Sequence, residues 1–593
     1  MNKTKNNSIS NRIHIKNMYN SNQIINMFGQ ISATLGIMVD GVIIGRFLGG
    51  DVMAAYGLAM PIMPVFMMLA MLIISGVQML CGRYLGKGDR QGANSIFSLS
   101  ITLGLVISIV FTALVLIFMT PLLHLLGASN DAGYLFADAR SYITGLCFGF
   151  VFMMLNMVLG SFMQFEGDRA RTMMSLFASL IVNVILDFVV VFGFGSGLFG
   201  VALATVISNA VGFFISLSHF VGGKTIFRYS PGNINWGDIG ELLLGGFTMT
   251  LNRLCYFLRI VLLNRFVLLF SDVSMLTAVS IKNNMYNLLG TPALSAGITI
   301  LMCTGIIMSE RNKDSVRSLL KTSIKNGLIQ NLILGVGVFV FARGLSDIYA
   351  HGNTTVINHS IDGLRYFALA MIPFAICQVI IGYLQGVGRY RQTVIFTLVH
   401  DLLLPVGGAY ILGHAVGIQG FWASHPIGEV LMLIILLLYF AVKSKRAGQK
   451  FKEGIFPQGF DVPENRQREW SVFDAEGVLA ASEDAFRWLK ETDESSRKTM
   501  LVSLCIEELA NNIISYGAKG KEKLLVYIRV MVEDSGVTLR IRDNGKQFDP
   551  TRWLEMYTNE DKTRSIGLRM VSNMAKDFRY INTMGMNTLI IRV

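Results

Sequence analysis

Twelve apolar runs, each about long enough for a helix to cross a bilayer, occupy most of the first three quarters of this 593-residue chain. They lie near 23–46, 52–81, 93–120, 137–164, 170–194, 198–221, 240–269, 274–307, 318–342, 361–386, 391–413 and 417–443. Inside a bilayer every backbone N–H and C=O must be satisfied within the protein, so a chain with this many such runs is confined to a bundle of membrane helices. A composition of 52% hydrophobic and 15% charged residues, with mean hydropathy +0.51, belongs to the same class. The charge is unevenly placed. From residue 457 onward there are 20 Lys+Arg against 21 Asp+Glu, so of the totals 51 and 39 the first 456 residues hold 31 and 18. The basic excess therefore sits among the helices, where it orients them, and argues against nucleic acid as a partner.

The even-numbered connections carry that excess: Arg83, Lys87 and Arg90; Arg169 and Arg171; Lys224 and Arg228; Arg311, Lys313, Arg317 and Lys321; Arg389 and Arg391. Connections such as GFGSG at 193–197 are poor in Lys and Arg. The positive-inside rule then places both ends of the chain in the cytoplasm of a multi-pass plasma-membrane protein. The first residues, MNKTKNNSISNRIHIKN, lack the apolar core of a signal peptide, and 1–21 is expected to be a disordered tail. Six isolated cysteines, with no C-x-x-C, argue against disulfides and a thiolate metal site.

Polar residues inside the runs are few and costly. In Ser179–Phe194, Asn183 and Asp187 stand four apart and share a helix face. Asp40 lies in the first run and Thr205 in the sixth. Intramembrane carboxylates usually face a partner, an aqueous cavity or an ion path. Two carboxylates, an amide oxygen and a hydroxyl can ligate a small cation such as Na⁺, and two close carboxylates can equally hold a proton; the residues do not choose between them. An internal repeat adds to this. G160-SFM-Q164-FE-G167-DR followed by G197-LF-G200 is matched by G382-YL-Q385-GV-G388-RY followed by G417-IQ-G420. Repeated six-helix halves with a site between them are a common transporter plan.

With D40-GVIIGRFLGGDVMAAYGLAMP61, G82-RYLGKGD89, Q164-FEGDR, N183-VILD187 and G197-LFGVALAT205, residues 22–443 resemble the multidrug and toxic compound extrusion (MATE) family. The resemblance implies two lobes of six helices, 22–230 and 231–445, forming a V, and export of lipophilic or cationic small molecules driven by a Na⁺ or H⁺ gradient. It assigns cation coupling to Asp40, Asn183, Asp187 and Thr205. Many members also carry acidic residues in helices seven and ten. Here TLNRLCYFL around Asn252 and PFAICQVIIGYLQG have none, which leaves the first lobe as the expected coupling site and Asp401 and Glu429 without an assigned place. Methionine and phenylalanine, 32 and 39 in number, would suit varied apolar substrates in the cavity or simply face lipid.

Beyond a polar linker at 446–465, residues 466–593 read as a soluble α/β domain. Helix-period segments fall near 478–490 and 496–515, and alternating strands at KLLVYIRVMVE, VTLRIRDNG and NTLIIRV. Glu508 and Asn512 are four apart on one helix face. R542-DNGKQFDP550 is a strand-to-turn segment in which Asp543 can accept from an exocyclic amine and Gly545 permits close approach. S565-IGLRMV571 opens a helix at Gly567. In this order they resemble the GHKL (Bergerat-type) ATPase superfamily, nearest to anti-sigma-factor serine kinases. The resemblance implies an α/β sandwich binding Mg-ATP, with Glu508 as general base, Asn512 as Mg²⁺ ligand, Asp543 as adenine reader, and Gly545 and Gly567 shaping the pocket. Tyr516 stands where a histidine is common, and the lid at 551–566 is not glycine-rich.

The expectation is an antiporter with a cytoplasmic ATP-binding controller. ATP is not expected to drive transport, because no G-x-x-x-x-G-K-[ST] loop is present. The alternative is a membrane-anchored serine/threonine kinase that acts on a partner protein and uses the carrier half as a sensor.

Overall fold

The computed structural model describes residues 9–593 apart from 128–132, 223–224, 271–272, 351–353, 451–452, 458, 493, 519–523, 535 and 557–565. Among these residues, eleven helices are long and apolar enough to cross a membrane, and a pair bent by 45°, Tyr134–Cys147 and Phe150–Glu166, adds another. In chain order that pair is the fourth span, so all twelve apolar runs are helical. The first span, Ile9–Leu48, starts well before its apolar run. Residues 9–21, expected to be disordered, are helical, and Ser10, Asn11, His14 and Ile15 are buried. The cause is tertiary: this end packs on the C-terminal domain, where Ser10 N donates to Ser471 Oγ at 3.1 Å.

Two basic connections are built alike. Gly88 (φ 76°) and Gly167 (φ 73°) take the left-handed conformation just past the end of a span. Asp89 and Asp168 then cap the next helix, accepting from Gly92 N at 2.9 Å and Arg171 N at 3.1 Å. Gly388 (φ 84°) repeats the turn in the second half.

At this basic end the two halves touch. The second span, Asp51–Gly86, meets the seventh, Asp238–Leu269, through an Arg83–Glu241 ion pair and a Tyr84 hydroxyl 3.0 Å from Asp238 Oδ2. It meets the eighth, Thr291–Met308, at glycines: a Cβ on Gly82 would lie 3.4 Å from the Gly305 backbone. Small residues let membrane helices approach this closely.

The C-terminal domain is one antiparallel sheet in the order β1-β2-β3-β5-β4 with helices on one face. Its strands are β1 (Gln467–Val472), β2 (Val526–Glu533), β3 (Gly536–Asp543), β4 (Asp577–Thr583) and β5 (Met586–Arg592). The sequence reading located β2, β3 and β5 and missed β1 and β4. Alternation decides the two faces. Val526, Ile528, Val530, Val537, Leu539 and Ile541 point to helices Ala475–Glu491 and Ser496–Tyr516 and form the domain core. Each such side chain contributes about 1.5–3 kcal/mol on full burial. The intervening Tyr527, Arg529, Arg540 and Arg542 point the other way, onto the basic end of the membrane helices, and are buried too. The described residues of 446–465, expected to be a polar linker, form a packed strap. Phe456 and Phe460 are buried with rings 5.8 Å apart, and Lys443 Nζ donates to the carbonyls of Gly454 (2.7 Å) and Phe456 (2.8 Å). Its few aromatic residues outweigh its polar composition.

Candidate functional site

Three clusters hold chemistry. In the first half, the carboxyl of Asp40 is faced by Asp187, Asn183 and Thr205, from the first, fifth and sixth spans. All four residues read from the sequence therefore come together. Asp187 is fully buried and Asp40 and Asn183 nearly so. Gly36, one turn before Asp40, faces the amide: a Cβ there would meet Asn183 Oδ1 at an ordinary contact distance of 3.5 Å. Asp40 Oδ1, both Asp187 carboxylate oxygens and Asn183 Nδ2 are buried without a hydrogen-bond partner. Leaving such groups unpaired is expensive. Hard oxygens converging in this state fit a small cation or a shared proton. Beyond each carboxylate the helix widens into a π turn, Ile44–Leu48 after Asp40 and Val189–Phe194 after Asp187. Single π turns interrupt the ladder of backbone bonds and recur at functional sites. Tyr56 and Tyr142, buried edge-to-face with centroids 5.2 Å apart, lie within electrostatic range of both carboxylates. Nothing in their sequence surroundings had singled them out.

The second half assembles a cluster that sequence reasoning left unplaced. A third π turn, Val399–Leu403, carries His400 and Asp401. His400 Nδ1 is 2.8 Å from Asp401 Oδ1, and Nε2 is 2.8 Å from Glu429 Oε2. Asn252 donates to Asp401 Oδ2 at 2.6 Å. Cys377 Sγ completes a buried donor set with His400 and Glu429. Both imidazole nitrogens are already engaged by carboxylates, so the set does not fit a metal ion. It fits one proton shared among an imidazole and two carboxyls. The signal was a His-Asp pair inside an apolar run, but pairing it with Glu429 needs the packing of span eleven on span twelve.

In the C-terminal domain, Asp543 ends β3 and is buried, its Oδ1 accepting from Gly545 N (2.7 Å) and Asn587 Nδ2 (2.8 Å). Gly545 sits where a Cβ would lie 2.7 Å from Gly517 O and 2.9 Å from Asp543 Oδ1, so only glycine fits. At Gly567 a Cβ would displace the Glu508 carboxylate, which lies against this glycine. The helix Ile566–Met574 thus begins against Glu508, and Asn512, one turn on, is exposed. Glu508 and Gly567 are in contact, as are Asp543 and Gly545. Most of the lid at 551–566 lies outside the described residues. Asn587 on β5, absent from the sequence reading, orients Asp543 while its Oδ1 accepts from Tyr580 Oη (2.7 Å) and Asn582 Nδ2 (2.8 Å).

Comparison with known proteins follows the same division. The MatE family model matches 26–189 and 248–411, once in each half, and a histidine kinase-like ATPase domain model matches 474–593. The multidrug export protein MepA of Staphylococcus saprophyticus is 24% identical over 427 residues, 70% of this chain and 91% of its own length. The probable multidrug resistance protein YoeA of Bacillus subtilis is 21% identical with the same coverage, and the probable multidrug resistance protein NorM of Thermotoga maritima 22% over 69% and 88%. Among solved structures, an outward-facing multidrug resistance MATE family transporter superposes with a TM-score of 0.68 at 22% identity, covering 73% of this chain and 97% of that one. A mutant of the Vibrio cholerae MATE transporter VcmN matches at 0.68 and 18%, covering 74% and 99%.

Proposed function

The chain belongs to the MatE family and ends in a histidine kinase-like ATPase domain, and from that premise we propose a cation-coupled antiporter under nucleotide control. It exports lipophilic or cationic small molecules across the plasma membrane. Residues 22–230 and 231–445 are the two lobes, 446–465 the connection and 466–593 the controller. The observation that carries the reading is the set of unpaired buried oxygens at Asp40 and Asp187. Na⁺ or H⁺ from outside relieves them, with Asn183 and Thr205 completing the site, and substrate leaves in exchange. Multidrug export in the relatives supports the substrate class. The basic connections and the docking of the soluble domain on the same end support cytoplasmic termini.

In the controller, Asp543 reads the adenine, Gly545 and Gly567 leave room for the nucleotide, and Asn512 holds Mg²⁺, whose charge screens the phosphates. Glu508 accepts a proton from water or from a serine hydroxyl of a partner protein. The Glu508–Gly567 contact supports this last role and keeps the kinase alternative in view.

Purified full-length protein in proteoliposomes, given imposed Na⁺ or H⁺ gradients with and without ATP, tests the proposal. Asp40→Asn should abolish gradient-driven efflux; efflux that persists in this variant would falsify the coupling site. Loss of phosphate transfer to any partner in Glu508→Ala, with transport intact, would favour the kinase alternative.

A further inference from the structure

We infer that the sheet of the C-terminal domain is a clamp laid across the joint between the two halves, its β1 side holding the second half and the start of the first span and its β4 side holding the rest of the first half, and that cytoplasmic opening requires one grip to let go. The inference rests on the transport reading above.

The order of the strands carries it. Read across the sheet, β1-β2-β3-β5-β4 runs from strands that touch the second half together with the buried start of the first span, where Ser10 N meets Ser471 Oγ at 3.1 Å, to strands that touch the first half. On β1, Glu469 accepts from Asn312 Nδ2 at 2.6 Å. On β2, Arg529 donates to the carbonyl of Glu310 at 2.7 Å. On β3 both halves are held at once: Arg542 pairs with the Glu310 carboxylate of the second half and donates to Asn11 Oδ1 of the first span at 3.0 Å, while Arg540 lies 3.6 Å from the same carboxylate and donates to Gly86 O at 3.4 Å. Beyond β5, the β4 side holds the first half, where Met584 N donates to Phe165 O at 2.6 Å and Asp549 pairs with Arg90 at 2.6 Å. Five strands about 4.8 Å apart cover roughly 20 Å. Beneath them lies the closed joint, the Arg83–Glu241 pair and the Gly82–Gly305 contact.

Alternating access is rocking of one half against the other, so the cytoplasmic ends must part. A rigid sheet fastened to both cannot follow both. The fastening is also of a kind that can release. Arg529, Arg540, Arg542 and the Glu310 carboxylate are buried in it, and desolvating charge offsets much of what their pairing contributes. Burial, opposed by Glu310 but reinforced by Arg542 and Arg529, pushes Arg540 down to about 10. The clamp also meets the nucleotide pocket, because Arg542 and Asp543 are consecutive on β3 and point to opposite faces.

Two reducible thiol cross-links, made in the full-length protein, test this. Arg90→Cys with Asp549→Cys ties the domain to the first half, and Arg311→Cys with Glu533→Cys ties it to the second. Either tie alone leaves the domain free to ride with one half, so efflux should stay within about twofold of the untied protein; both together should lower it by at least about tenfold, reversed by reductant. Undiminished efflux with both ties in place overturns the clamp. If the untied protein moves no substrate, the transport reading has failed, and separation of the halves then decides the clamp. Spin labels at K87C and K321C should show a wider distance distribution in R90E than in wild type, restored in R90E with D549R. Identical distributions in all three overturn it.

Discussion

Asn587 shows how much one side chain outside the recognised motifs can carry. Its amide joins Asp543 to the carbonyls of Gly545 and Lys546, at 3.2 Å each, and so fixes the pocket floor. Asn587→Ala should weaken binding of an ATP analogue to the full chain by about tenfold, near 1.4 kcal/mol, the scale of a lost hydrogen bond; titration with a fluorescent analogue measures it. The two membrane clusters should respond to charge removal with opposite signs. Asp40→Asn takes a charge from a site whose oxygens lack partners, so the melting temperature should hold or rise as efflux is lost. Glu429→Gln breaks a buried, fully engaged set and should destabilise by about 3–5 kcal/mol. Thermal unfolding in detergent separates them, and a fall in both would contradict the unpaired state of the first.

Among the elements, the strap yields the plainest expectation. Phe456 is buried, stacked on Phe460 and overlain by Arg317 at 5.6 Å, so Phe456→Ala should cost about 3–5 kcal/mol and lower the unfolding temperature measurably. Composition hid this, because three phenylalanines in a polar stretch carry no periodicity. What was legible elsewhere follows the same logic. Twelve spans show in hydropathy because each must cross the bilayer core, including Thr291–Met308, which is mostly enclosed by other helices. β2 and β3 show because each sets three apolar residues on the core face, and β5 because Leu589 and Ile591 are continued by Val593 just past its end. β1 contributes only Trp470 and Val472 to that core and β4 chiefly Tyr580, too few to make a pattern. The four-residue spacing of Asn183 and Asp187 placed them on one face before any packing was known. The His400–Glu429 contact, the π turns and the helix at 9–21 depend on neighbours far along the chain, and no local signal announces them.

At the scale of the molecule, docking is linked to pH through Glu469. Burial, opposed chiefly by Arg529, raises its carboxyl above the ordinary glutamate value of 4.5. A carboxyl raised on folding binds its proton more tightly in the docked state. Its cost therefore sets in as pH rises past the ordinary value, is complete above the raised one, and disappears on acidification. Glu469→Gln should flatten that part of the pH dependence of domain release, followed by limited proteolysis between pH 4 and 8; an unchanged profile would clear Glu469 of the effect.

The strap also sets how far a released domain can go. It is pinned at Phe456 and again at the buried Phe460, and β1 begins at Gln467, so even a domain that pulled Phe460 out of its packing would hang on 457–466, which reaches at most about 35 Å. A module on so short a leash meets its own docking face at an effective concentration of order millimolar. Even an affinity too weak to hold two separate proteins would keep this domain seated most of the time, and free copies in the cytoplasm could not displace it. Release is then a brief tilt followed by recapture, which suits a device that must open once per transport cycle without losing its place.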